Sequence, residues 1–254
     1  MSKETSDDFY VGYLPMPRAH RIFMRRVAPA ILWTMVIICG ITLRLMKPPG
    51  AATWQTGQVQ DLVGVVRKTP YPLLELRAPD GATETLLLTG IGKRGAFISD
   101  IFDNARCTVR GYPLEREGRR ILELMDGHEA MILLGGQDDA WAVPEPVVLG
   151  PVVLRGEILD SKCWHGAMKP GEGRAHKACA TLCVRGGIPP LLITRDPAGG
   201  PNQTYLLTNT TGGSAAEQVL DVLGEPVEVR GTLTRRADLL WLALDLGGVQ
   251  PAAE

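Results

Sequence analysis

Apolar residues fall along this chain in three regimes. Val27 to Leu43 is a run of 17 residues without a charge, and Arg44, Leu45 and Met46 bring it to 20. A bilayer crossing takes about 20 residues, and Arg44 can snorkel to the interface. The run predicts a transmembrane helix over 27–46, with Pro29 in its first turn, where proline costs little. Beyond it the pattern changes to short apolar or alternating stretches bounded by Gly, Pro and Asp, the signature of strands. They predict strands near 58–67, 72–78, 83–89, 106–112 and 119–125, with a short helix near 95–103. A second set follows near 152–160, 190–195, 203–208, 226–233 and 238–245, with a helix near 215–223. Ser214 and Glu217 form a capping box for that helix and Gly224 ends it.

The two sets repeat one another. Leu73 to Arg77 resembles Leu191 to Arg195, Leu86 to Thr89 resembles Tyr205 to Thr208, and Val109-Arg110-Gly111 recurs as Val229-Arg230-Gly231. Each set also has a glycine in its opening strand, Gly64 and Gly156. Three strands, a helix and two strands is the order of the OB-fold. The expected architecture is therefore mainly β: a transmembrane helix followed by two tandem OB-like small barrels. The expected boundaries are a cytoplasmic basic tail 1–26, the span 27–46, a linker 47–57, barrel 58–126, a linker 127–150, barrel 151–246 and a tail 247–254.

Charge sharpens the membrane reading. The formal net charge is only −1, yet residues 1–47 carry seven basic and three acidic side chains, while the rest is acid-rich. Arg18, Arg21, Arg25 and Arg26 precede the span, and only Arg44 and Lys47 follow closely. By the positive-inside rule the N-terminus is cytoplasmic and the C-terminal part periplasmic, or otherwise extracytoplasmic, on an uncleaved signal-anchor of the inner membrane. An acidic exported part poor in aromatic residues argues against nucleic-acid binding.

The repeats differ in one place. The second carries an insertion at 161–190, between its first two strands, which holds three of the five cysteines and two of the four histidines. A helix over 174–184 would place His176, Cys179 and Cys183 on one face, and Cys163 and His165 flank a Gly/Pro-rich loop able to fold back over it. Cys163, His176, Cys179 and Cys183 would make a Cys3His set, with His165 able to replace one member, for zinc, copper or iron. The rival is a disulfide from Cys163 to Cys179 or Cys183, since exported cysteines usually oxidise; free thiols without a special role are a third reading. Cys107 reads as buried core and Cys39 as packing within the span. Asp138-Asp139 reads as solvated linker.

The insertion resembles a motif of single-span bacterial membrane proteins: a Cys-x-x-Gly start, a Met-x-Pro-Gly-x-Gly loop, a His-Lys-x-Cys-Ala-x-x-Cys helix and a Gly-Gly-x-Pro-Pro end. The matching residues are Cys163 to Gly166, Met168 to Gly173, His176 to Cys183 and Gly186 to Pro190. The resemblance implies a membrane anchor and the insertion, and no activity. A membrane-anchored OB barrel is also similar to periplasmic haem chaperones, whose His plus Tyr attachment pattern is not recognisable here. Three functions stay open: a metal- or cofactor-binding accessory of a respiratory or redox system, a structural subunit contacting a membrane complex or an exported partner through a disulfide-stapled epitope, and a thiol-redox enzyme. Walker A, dinucleotide and H-E-x-x-H signatures are absent from the sequence.

Overall fold

The computed structural model describes residues 16–45, 52–78, 80–134 and 145–252. They form two compact units, one ending at Pro48 and one beginning at Pro49. The first contains helix α1, Arg18–Leu45, whose side chains are all unburied within the unit. Among the described residues this is the one helix long and apolar enough to cross a membrane, which fits a single-pass anchor. Its 28 residues rise about 42 Å, more than a hydrocarbon core needs. The helix begins nine residues before Val27, in the basic segment, so Pro29 lies well inside it rather than in its first turn. Thr34 and Thr42 donate to the carbonyls of Ala30 and Ile38, one turn back.

The second unit is mainly β. Its first half contains β1 (Ala52–Trp54), β2 (Gln60–Arg67), β3 (Leu73–Arg77), β4 (Thr83–Thr89), β5 (Arg106–Arg116), β6 (Arg119–Leu124) and β7 (Met131–Leu133). They make one seven-stranded sheet in which β5 pairs with both β2 and β6. Its second half contains β8 (Val147–Asp160), helix α2 (Lys177–Arg185), β9 (Pro190–Thr194), β10 (Gln203–Asn209), helix α3 (Ala216–Val219), β11 (Pro226–Arg236) and β12 (Leu239–Pro251). These five strands close into a barrel. The pairings repeat between the halves: β2–β3, β3–β4, β5–β6 and β5–β2 are antiparallel and β4–β6 parallel, as are β8–β9, β9–β10, β11–β12, β11–β8 and β10–β12 in turn.

The repeated glycines have a steric cause. A Cβ on Gly64 would lie 2.3 Å from the Glu75 carbonyl oxygen, and one on Gly156 would lie 2.3 Å from that of Ile193. Gly111 and Gly231 stand in the same relation to Glu123 and Ala243, each at 2.2 Å. In each half the first and fourth core strands approach their neighbours too closely for a side chain, which is what strong coiling of a small sheet requires.

Several details depart from the sequence reading. The helix expected near 95–103 is only a 3-10 turn at Asp100–Phe102. The helix expected over 215–223 is α3 plus a 3-10 turn, and the Ser214 hydroxyl accepts from the Ala216 N–H in place of a capping box. Strands β1 and β7 lie in segments read as linker, and β12 continues to Pro251. The two short strands have too few residues to show alternation, and both gain order by pairing with β5. Asp138-Asp139 falls outside the described residues.

Each half has its own apolar core, around Leu86 and Leu122 in the sheet and around Leu207 and Leu242 in the barrel. A third cluster joins them: Tyr71, Leu87 and Leu114 pack with Leu159, Trp164 and Leu191. Tyr71 donates its hydroxyl to the Leu207 carbonyl at 2.8 Å and accepts from the Ala215 N–H at 2.9 Å. Buried Glu75 pairs with Arg67 of its own half and Arg236 of the other. The insertion is wedged against this seam.

Candidate metal centre

Strand β8 ends at Asp160, and the chain turns at once into a wide helical turn, Cys163–Ala167, stopped by Gly166 at φ 123°. Asp160 is fully buried and starts this turn as a helix cap does: its Oδ1 accepts the Cys163 N–H at 2.8 Å. Its Oδ2 accepts from His176 Nε2 at 2.9 Å. The Gly/Pro-rich loop then returns over the turn. A Cβ at Gly171 would lie 2.2 Å from the Cys163 carbonyl oxygen, so only glycine lets the loop close this tightly. A 3-10 turn at Arg174–His176 leads into α2, which presents Cys179 and Cys183 one turn apart on one face. Gly186 and Gly187 end α2.

The three insertion cysteines converge. Cys163 Sγ lies 4.0 Å from both Cys179 Sγ and Cys183 Sγ. All three sulfurs are within 4.8 Å of one another, as are ligand atoms of Asp160, Cys163 and His176. This is a Cys/His cluster able to hold a metal ion. Cys163 belongs to both groups, so His176 adjoins the thiols through it. His176 is oriented by the contact of its Nε2 with Asp160; carboxylate-oriented histidines of this kind are common at metal sites. His165 is placed differently. Its Nδ1–H donates to the Ser161 carbonyl at 2.6 Å, and it joins neither group. Burial pushes its imidazole down to about 4, so the ring is neutral at pH 7. It lines a cleft of about 490 Å³ between sheet and barrel, with Glu84, Arg119 and Asp238.

The five cysteines are all free thiols, and none forms a disulfide. Sulfurs 4.0 Å apart are well beyond the bonded distance of about 2.05 Å. Cys163 and Cys183 share a long S–H···S hydrogen bond in which either sulfur can donate, and this contact together with burial holds the Cys163 thiol up.

The first half of the unit completes the site, through residues the sequence reading did not single out. The β4–β5 connection, Gly90 to Gly95, reaches the insertion. Lys93 Nζ lies 2.6 Å from Cys179 Sγ, and this contact raises the Lys93 pKa. The Gly95 N–H donates to the Gly186 carbonyl at 2.8 Å. A Cβ on Gly186 would fall 1.9 Å from the Lys93 carbonyl oxygen, so this end of the insertion must be glycine. Lys162, 3% exposed, donates to the carbonyls of Gly90 and Gly92 at 2.7 and 2.8 Å and pairs with Glu123 at 3.1 Å. Arg116 stacks over the Trp164 ring at 3.4 Å.

Exposure orders the thiols. Cys163 and Cys183 are 5% and 1% exposed, whereas Cys179 is partly open. Cys107 is buried in the first core, and burial alone pushes its thiol up to about 11. Among the four cysteines outside α1, iodoacetamide is therefore expected in metal-free folded protein to label Cys179 first, Cys163 and Cys183 more slowly, and Cys107 only after denaturant is added. Peptide mass mapping over a labelling time course checks this order. Early labelling of Cys107 would contradict it.

No family model matches the chain, and no curated protein or solved structure matches it either.

Proposed function

We propose that this is a membrane-anchored protein whose exported domain binds a thiolate-seeking transition metal, zinc, copper or iron, at Cys163, Cys179 and Cys183. The observation that carries the reading is the pair of 4.0 Å sulfur separations. Two thiolates on tetrahedral zinc, at about 2.3 Å from the metal, stand about 3.8 Å apart. The cluster already has nearly that spacing. His176, oriented by Asp160, is the best placed further ligand, and His165 is a packing residue.

Three further parts of the reading each have their own support. Both halves of the domain are OB-like barrels, supported by the common pairing order and the paired glycines. The N-terminus is cytoplasmic and the domain periplasmic, supported by the basic residues before the span. The role is accessory to an exported redox or respiratory system, because thiolate sites of this kind select metals used there.

The test is metal content. Full-length protein in detergent is reduced, incubated with zinc or copper(I), freed of excess metal and analysed. About one ion per chain is expected, with Cys163→Ser and Cys183→Ser losing it and the exposed-site variant His128→Ala keeping it. Asp160→Asn should weaken retention about 10–100-fold by disorienting His176. Background metal in the parent protein, or equal loading of Cys163→Ser, would refute the assignment.

A further inference from the structure

We infer that Lys93 and Cys179 form an oxidation-dependent covalent link between the two halves of the exported domain. The pair lies apart from the Cys163–Cys183 hydrogen bond and joins elements 86 residues apart in sequence. Its N···S distance is 2.6 Å, direct contact. Cys179 is the most accessible thiol of the three, so an oxidant reaches it first. The nearest nucleophile to any oxidised Cys179 is then Lys93 Nζ at 2.6 Å, against Cys163 Sγ at 4.0 Å. The loop that carries Lys93 is held in place by Lys162 and by the Gly95–Gly186 hydrogen bond, so approach needs no rearrangement.

The step balances with hydrogen peroxide as the oxidant. The Cys179 thiolate attacks peroxide, the O–O bond breaks, and sulfenic acid and hydroxide form. Hydroxide takes a proton from the Lys93 ammonium and becomes water. The free amine attacks the Cys179 sulfur, an S–N bond forms, and the sulfenic oxygen leaves as a second water. Sulfur is oxidised by two electrons and peroxide is reduced by two. The product, a sulfenamide, is the amine counterpart of the known capture of sulfenic acid by a backbone nitrogen, and thiols reverse it. It ties the β4–β5 connection to α2 and removes Cys179 from the metal-binding set. The inference needs the Lys93–Cys179 contact and does not depend on a metal being bound.

The experiment treats full-length protein in detergent with chelator and then with hydrogen peroxide, followed by tryptic digestion without reductant. The expected product joins peptide 78–94, which contains no cysteine, to peptide 178–185, about 2 Da below their summed mass. Cleavage after Lys93 should be blocked, and dithiothreitol should release both peptides. Lys93→Arg, which keeps the charge, should abolish the product. Cysteine pairing alone, with Lys93 unmodified in the parent protein, would overturn the inference. So would the same cross-link in Cys179→Ser. Metal content of the same preparation is read separately, so failure of the metal assignment and failure of the link are distinguishable.

Discussion

Replacing Trp164 by alanine is expected to destabilise the β domain by about 3–5 kcal/mol, the range for emptying a buried aromatic site. Trp164 is 1% exposed and is the largest fully buried side chain of the seam between sheet and barrel. It touches both halves, because the insertion turn carries it into the cluster with Leu114, Ile121 and Leu191. The loss extends beyond apolar area. The Arg116 guanidinium, 6% exposed, lies over the indole face, and its NH1 donates to the Trp164 carbonyl at 3.1 Å. Its nearest carboxylates, on Glu117 and Glu172, are 3.9 Å away. Removing the ring leaves a buried cation facing a cavity, whereas Trp164→Phe keeps an aromatic face and should cost clearly less. Urea unfolding of the full chain in detergent, followed by far-UV circular dichroism, measures both variants. A loss below about 1 kcal/mol for Trp164→Ala would show that the seam does not hold the halves together.

What the sequence disclosed divides by range. The i, i+4 spacing of Cys179 and Cys183 is local, so it placed both on one helix face before any fold was known. The pairs Gly64/Gly156 and Gly111/Gly231 were visible as repetition, although their cause, a strand backbone against a neighbouring carbonyl, is tertiary. Asp160 was weakly legible: an acidic residue at a strand end, three before Cys163, fits a helix cap, but its bond to His176 spans the whole loop. Lys93, Lys162 and Arg116 carried no signal. Each is one basic residue among many, and its role depends on how the first half meets the insertion. His165 is the opposite case. Proximity in sequence to Cys163 made it a candidate ligand, while the wide turn directs its Nδ1 to the Ser161 carbonyl. Pro29 follows the same logic, since the apolar run alone marks where hydrophobicity begins and the helix starts earlier.

Lys162→Ala is expected to cost about 3–5 kcal/mol, the price of leaving one member of a buried ion pair alone. Lys162 is 3% exposed and Glu123 is 4% exposed, so water screens the pair little. The ammonium also satisfies two carbonyls, of Gly90 and Gly92, which have no side chains of their own to cover them. The variant therefore strands a carboxylate and unties the connection that brings Lys93 to Cys179. Two consequences separate this from a general loss of packing. Adding Glu123→Gln to Lys162→Ala should recover part of the stability, because the stranded charge is gone; a double-mutant cycle in urea reads the coupling. Loosening the connection should also speed amide hydrogen exchange of residues 90–95 in the folded state, while the barrel core near Leu207 stays protected. If the two substitutions were simply additive, the pair would not act as a unit, and the connection would be held by the Gly95–Gly186 contact alone. If coupling and faster local exchange appear together, the connection that brings Lys93 to Cys179 is fixed by Lys162 and Glu123, so the first half buttresses a cluster whose candidate ligands all lie in the second.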